Sequence, residues 1–193
     1  YGWQNTIQYF IYFLIFAAIC SLFLFKKEYI DTTSDSFTRD QTTAKALSEA
    51  FKHRGYMLLV AGFFVCGFQI TLVATHIPGY IQQKGLPEWT AAAILALIGF
   101  FNIFGTIGMG FLASKYSKKN LLSILYFSRG VILVLFLLLP SSTFTALAFG
   151  VLFGILWLAT IPPTNGIVAQ IFGTKYLGTL FGIVFFSHQV GSF

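Results

Sequence analysis

Five long apolar runs separated by short polar turns, near residues 5–25, 55–77, 90–113, 120–139 and 143–170, leave this chain few ways to fold. A bilayer core is about 30 Å thick and takes roughly 20 apolar residues of helix to cross, a length each run meets. A sixth run is under way where the sequence ends at Phe193, and no Met opens it, so the expectation is a piece of a longer polytopic protein. Inside lipid every backbone N–H and C=O needs a partner within the protein, which leaves helices and closed barrels. The runs lack the period-two alternation of barrel strands. The predicted fold class is therefore all-α, a polytopic transmembrane helical bundle.

Composition agrees, since 56% hydrophobic and 19% aromatic residues with 9% charged ones lie far from the balance of a soluble domain. The run over residues 3–25 is too long for a signal peptide and carries Lys26 and Lys27 on its far side, so it reads as an ordinary span. Basic residues set the orientation, because Lys and Arg accumulate in cytoplasmic loops. Lys26, Lys27, Arg39, Lys45, Lys52 and Arg54 share the loop at 26–54, Lys115, Lys118 and Lys119 share the turn near 114–120, and Lys175 lies in the turn near 173. Lys84 falls on the opposite side and Arg129 within a span. The net charge of +6 thus reflects topology and anionic lipid headgroups, and no nucleic-acid partner is expected. The loop at 26–54 is predicted to be cytoplasmic and the protein to be a multi-pass protein of the inner (plasma) membrane.

That loop begins with a polar run at Thr32, Thr33, Ser34, Asp35 and Ser36. From Gln41 to Arg54, Ala44, Leu47 and Phe51 recur at helical spacing, which predicts a short amphipathic helix on the inner surface. The stretch reads as a linker between domains. Pro78 and Gly79 are expected to close the second span, Gly85, Leu86 and Pro87 to precede the third, and Pro140, Ser141 and Ser142 to form a very short outer turn. Trp3, Tyr80 and Trp89 fall at the outer level and Tyr29, Tyr56, Tyr116 and Tyr176 at the inner one, as interfacial belts require. Gly62 and Gly67, Gly105, Gly108 and Gly110, Gly150 and Gly154, and Gly178 and Gly182 suit close helix packing, with hinge points the alternative. Cys20 and Cys66 lie in spans and read as small buried apolar residues rather than a disulfide or metal pair.

Function should show in the polar groups that bear the cost of the bilayer. Glu28, Asp31, Asp35, Asp40, Glu49 and Glu88 all lie outside the spans, so no embedded carboxylate is present to relay protons or build a metal-dependent active site. Arg129 lies roughly ten residues into its span, about 15 Å deep by helix rise. A guanidinium there must face a cavity or a partner. It reads either as an anion contact, gripping a carboxylate through two parallel hydrogen bonds, or as a clamp on backbone carbonyls or on an acid elsewhere in the protein. Gln69 and His76, seven apart, share a helical stripe. His76 and His188, the latter beside Gln189 in the last run, could couple transport to protons or simply make helix-end and interhelical hydrogen bonds. Asn102 and Thr106, one turn apart, could meet an oxygen-rich ligand or bridge helices. The run Pro162-Pro163-Thr164-Asn165-Gly166 is expected to break its helix, because two prolines remove two donors in succession.

At these residues the chain resembles the major facilitator superfamily of transporters. The run from Gly110 through Ser114, Lys115 and Ser117 to Lys118 and Lys119 is similar to that superfamily's inter-helix signature, with Ser114, Lys115 and Ser117 where the signature has Asp, Arg and Gly. Thr75-His76-Ile77-Pro78, the Pro162–Gly166 run, Leu180-Phe181-Gly182 and Ser187-His188-Gln189-Val190-Gly191 resemble bacterial members of the monocarboxylate transporter branch. Animal members carry an Asp and, four residues on, an Arg at the positions of Asn102 and Thr106, so that pair's proton coupling does not carry over; Arg129 could supply a substitute charge. The resemblance implies helices six to eleven of twelve. On it, residues 1–25 are the last helix of the N-terminal half, 26–54 the cytoplasmic inter-domain loop, and 55–193 the truncated C-terminal bundle.

The resulting expectation is a secondary transporter, not an enzyme, moving a small organic anion by alternating access against the missing N-terminal half. A proton is the candidate coupling ion, membrane lipids are the surroundings, and no cofactor or metal is expected. Arg129, Asn102, Gln69 and His76 are the candidate substrate contacts; His188, Gln189, Gly110, Pro162 and Pro163 are candidates for coupling or gating. The alternatives are an integral membrane enzyme, which needs acid pairs or a His-acid cluster, and a channel or non-transporting sensor.

Overall fold

The computed structural model describes residues 42–193 and, ahead of them, Ile11, Tyr12 and Ile15, which are helical. Residues 1–38 and 39–193 fall into two compact units, and every element below belongs to the second. Most of the first expected span and of the loop after it lies outside the described residues. Among the described residues every regular element is a helix: α1 Thr43–Lys52, α2 Arg54–Gln83, α3 Trp89–Lys115, α4 Lys118–Leu138, α5 Thr143–Leu156, α6 Ile161–Phe172 and α7 Leu177–Ser192. Among the described residues four stretches are long and apolar enough to cross a membrane, namely α2, α3, α4 and the α5–α6 pair taken together.

The amphipathic helix forms as α1, with a different inner face from the one its spacing suggested. Ala46 and Ala50 are buried and Leu47 is half-buried, whereas Ala44 is exposed and Phe51 is 50% exposed. Two alanines one turn apart let the helix backbone lie flush on the bundle, and Phe51 stands beside it, edge-on to Tyr56 at 6.4 Å. A single residue separates α1 from α2. His53 caps α2, its Nδ1 accepting from the Tyr56 N–H at 3.3 Å, and its ring meets Phe172 at 5.6 Å.

Pro78 does not close the second span. The helix continues to Gln83, because an apolar helix in lipid tolerates the single donor that proline removes when its neighbours stay helical. The stop comes from Gly85, at φ 67°. The Gly85 N–H bonds the Gln82 carbonyl at 3.0 Å and the Leu86 N–H bonds that of Ile81 at 3.1 Å, the paired closure that a left-handed glycine allows at a helix end. Leu86 then packs on the core. At the Pro140-Ser141-Ser142 turn, the Ser142 side chain accepts from the Thr145 N–H and the Thr145 hydroxyl accepts from the Ser142 N–H, a reciprocal cap that starts α5.

Glycines decide which helices touch. A Cβ on Gly105 of α3 would stand 1.8 Å from the Ile155 carbonyl of α5, and one on Gly154 of α5 would stand 2.8 Å from the Ile98 Cα of α3. The same holds between α2 and α7, where a Cβ on Gly67 would reach the His188 carbonyl at 2.0 Å and one on Gly191 the Phe64 carbonyl at 2.0 Å. Backbone-to-backbone approach is how helices associate where lipid removes the hydrophobic drive. Gly108, Gly110, Gly178 and Gly182 have open space instead. In the α2–α7 pair the Tyr56 hydroxyl donates to the Leu180 carbonyl at 2.8 Å and the Ser187 hydroxyl to that of Val60 at 2.7 Å.

The core divides along the spans. One cluster joins Val73, Ile77 and Ile81 of α2 with Ile94 and Ile98 of α3, Phe136 of α4, and Phe149 and Phe153 of α5. The other joins Tyr56, Leu59 and Phe63 of α2 with Leu122 of α4, Val168 of α6, and Leu180 and Val184 of α7. The level between them is reached by Cys66 on α2, Arg129 on α4 and the α5–α6 junction. That level is mid-span.

Candidate functional site

The α5–α6 span is broken at residues 157–160. The expected break exists, but its place differs: the Pro162–Gly166 run is itself helical, with the prolines in the first turn of α6. Proline is tolerated in a first turn because the missing N–H has no partner to serve there, and the cost falls one turn upstream. An unbroken helix would pair the N–H groups of residues 162 and 163 with the carbonyls of Leu158 and Ala159. Leu158 O instead takes the Ile161 N–H at 3.0 Å. That diversion in turn leaves the Trp157 carbonyl, the helical partner of residue 161, in need of a donor.

Arg129 supplies it. Its Nε donates to the Leu156 carbonyl at 3.0 Å and its Nη2 donates to the carbonyls of Leu156, at 2.5 Å, and Trp157. Nη1 donates to Cys66 Sγ at 2.9 Å, and the Tyr126 ring lies 5.9 Å from the guanidinium carbon. The side chain is 0% exposed. Of the two roles open to Arg129 from sequence, the geometry displays the clamp on backbone carbonyls. The negative end of the α5 dipole falls on the same carbonyls and adds to the attraction. No described carboxylate pairs with this charge: Glu49 belongs to α1 and Glu88 precedes α3.

Asn102 meets the same peptide unit from α3. Its Oδ1 accepts from the Leu158 N–H at 3.0 Å and from the Thr106 hydroxyl at 3.2 Å. Asn102 and Thr106 thus bridge helices, with Thr106 orienting the amide that reaches across. Donors from α4 and an acceptor from α3 meet successive peptide groups of one unwound turn.

The other candidates are dispersed. Gln69, half-buried, is three residues from Cys66 on α2, about 4.5 Å along the axis. His76, exposed, lies two turns further toward the Lys84 end. The His188 ring stacks on Phe185 at 5.6 Å and lies 6.0 Å from Phe63, and its buried Nδ1 has no hydrogen-bond partner among the described residues. Gln189 is exposed. Gly110 sits in the last turns of α3, open to its surroundings.

Sequence reasoning missed Cys66 and Thr160. Cys66, read as a small apolar residue, receives an Arg129 N–H and lies 3.9 Å from Thr160 Oγ1. Thr164, one turn on, is fully buried with its hydroxyl unpartnered among the described residues. Hydroxyls at 160 and 164, four apart around a proline pair, were the available signal. Two surface grooves, of about 460 and 160 Å³, lie along α4 and between α4 and α5, and neither is lined by Arg129 or Asn102.

The family model described as Major Facilitator Superfamily matches residues 1–193. The chain is similar to the uncharacterized MFS-type transporter YcxA of Bacillus subtilis (strain 168), with 26% identity over 98% of this chain and 47% of that protein. It is similar to the MFS transporter asaE of Aspergillus flavus, with 21% identity over 75% of this chain and 33% of the relative. Monocarboxylate transporter 12-B of Danio rerio shows 26% identity over 70% of this chain and 29% of its own length. The chain spans about half the length, or less, of these curated relatives. No solved structure matches it.

Proposed function

This chain belongs to the Major Facilitator Superfamily, and from that premise we propose that it is part of a secondary transporter that moves a small organic anion across the inner (plasma) membrane by alternating access. The family and the relatives named as transporters support a multi-pass membrane carrier rather than an enzyme. A monocarboxylate-like cargo is supported by the two relatives named monocarboxylate transporters and by the sign of the charge in the site.

One observation carries the reading: a guanidinium at mid-span, uncompensated by any described carboxylate, beside a helix broken within the membrane. In a medium of low dielectric such a charge sets a positive potential over the neighbouring space, and an anion is the cargo that gains from it. Broken helices at the midplane are where carriers place cargo, because their unwound backbone lines a cavity. The N-terminus of α6 is a poor anion site by itself, since Pro162 and Pro163 bring no N–H to it. Arg129 is therefore the anion's counter-charge, with Asn102 and Gln69 at the same level and His76 toward the Lys84 face. His188, Gln189, Gly110 and the proline pair serve coupling or gating, with an ion gradient as the source of energy.

Counterflow into proteoliposomes holding the complete protein, preloaded with small monocarboxylates, is expected to be saturable and stimulated from the far side. Fast flux that never saturates would replace the carrier with a channel. Arg129→Gln is expected to abolish anion uptake while membrane insertion persists, and unchanged uptake refutes the counter-charge role.

A further inference from the structure

Resting on the anion reading above, we propose that Arg54 captures the cargo at the basic end of α2, as a second cation that the anion meets before or after Arg129. It stands at the foot of an exposed stripe of α2 that also carries Gln69 and His76.

The bundle uses one face of α2. Tyr56, Leu59, Phe63, Cys66, Val73 and Ile77 are buried there against other helices. At about 100° per residue, the opposite face carries Arg54, Leu58, Val65, Gln69, Leu72 and His76, all exposed except the half-buried Gln69. Gln69, His76 and Gln83 recur every seven residues along this face. Within the span, the Gln69 and His76 side chains make no hydrogen bond among the described residues. Hydrocarbon leaves such groups unpaired, so polar side chains in a span turn to a protein partner or to a water-filled route. The packing face is already taken, and the stripe therefore faces a route. Gln69 lies three residues from Cys66, which receives an Arg129 N–H, so the route passes the level of that guanidinium.

Arg54 begins the stripe, about 22 Å from Gln69 by helix rise. It is exposed, and no hydrogen bond or ion pair among the described residues engages it. Lys52 and His53 precede it, both exposed, and Glu49, half-buried on α1, is the nearest acid in sequence. The first N–H groups of α2 add potential of the same sign; that of Tyr56 is taken by His53, and those of Arg54 and Gly55 are orphan donors of a helix start. A hydrated charge at a mouth holds no anion tightly but raises its local concentration. Buried Arg129 is placed to hold the anion, and exposed Arg54 to collect and release it.

The test uses the complete protein in sealed membrane vesicles, with Cys66 kept and other cysteines removed. Leu58→Cys, one turn along the stripe from Arg54 at a position 68% exposed, is reacted with two methanethiosulfonates that share a leaving group. One carries an anionic sulfonatoethyl group and the other a cationic trimethylammonioethyl group. The anionic reagent is expected to react faster. Arg54→Gln is expected to lower the anion-to-cation rate ratio about tenfold at low ionic strength, as Coulomb's law gives for a unit charge about 6 Å away in water. Arg54→Lys is expected to keep the ratio, molar salt to flatten it, and Lys119→Gln, which removes an exposed cation of α4, to leave it as it was. A ratio untouched by Arg54→Gln overturns the proposal. Failure of both reagents to modify the Leu58→Cys variant does so too, because the stripe then faces lipid. In monocarboxylate counterflow, Arg54→Gln is expected to raise the half-saturating concentration about threefold or more on the Lys115 face and to leave it unchanged on the Lys84 face. Half-saturation unaltered at both faces leaves the anion reading standing and removes this one, whereas no monocarboxylate counterflow by the unsubstituted protein removes both.

Discussion

Arg129 is the residue on which this site turns, and its chemistry is that of a cation held by dipoles. A buried charge costs several kcal/mol unless its donors are met, and here backbone carbonyls and a thiol meet them in place of a carboxylate. Lysine could not substitute, because a point ammonium cannot reach two successive carbonyls in one plane. Tyr56 shows the same economy at the α1 end of the bundle, where its hydroxyl reaches the Leu180 carbonyl at 2.8 Å from a fully buried ring. Tyr56→Phe is expected to lower stability by about 1 kcal/mol through the loss of that bond alone. Thermal unfolding in detergent checks it, and an unaltered midpoint would show the bond to be energetically silent.

Helix pairing is set by where glycine lets one backbone meet another, and α3 with α5 offers a matched pair of tests. Gly105→Ala drives a Cβ into the Ile155 carbonyl, which would stand 1.8 Å away, and is expected to cost about 1–3 kcal/mol or to force the two helices apart. Gly108→Ala, on the same helix, meets open space and is expected to be neutral or to stabilise by up to about 1 kcal/mol. Thermal melts of the two variants should separate clearly. Equal melting points would refute the backbone contact. The break in the α5–α6 span follows the same logic of donors and acceptors: two prolines begin a helix without strain, and the deficit surfaces one turn earlier as carbonyls that another helix must satisfy.

At the scale of the whole molecule the spans alternate in direction, so Lys84 lies at one face and Lys115, Lys118 and Lys175 at the other. With the basic face cytoplasmic, Lys84→Cys is expected to react with a membrane-impermeant maleimide in intact cells and Ser117→Cys only after permeabilisation. The reverse pattern would invert the proposed orientation. The four spans among the described residues were legible without coordinates, because lipid demands about 20 apolar residues per crossing and punishes an unpaired backbone. The short turns and the deep cation were legible for the same reason. Other features were not. Pro78 passed for a terminus because removal of one donor looks alike in a sequence whether or not the helix continues, and the face of α1 was misjudged because Ala46 and Ala50 outpack the larger Phe51. Above all, sequence could name Arg129 and Asn102 as exceptional but not bring them together on one unwound turn, for neither lies closer than 27 residues to the peptide groups it serves. Local hydrophobicity and donor count are properties of the chain alone and determine that helices cross and where one must falter; which partner answers the faltering helix depends on glycine-permitted contacts between distant segments, and only the packed bundle decides that.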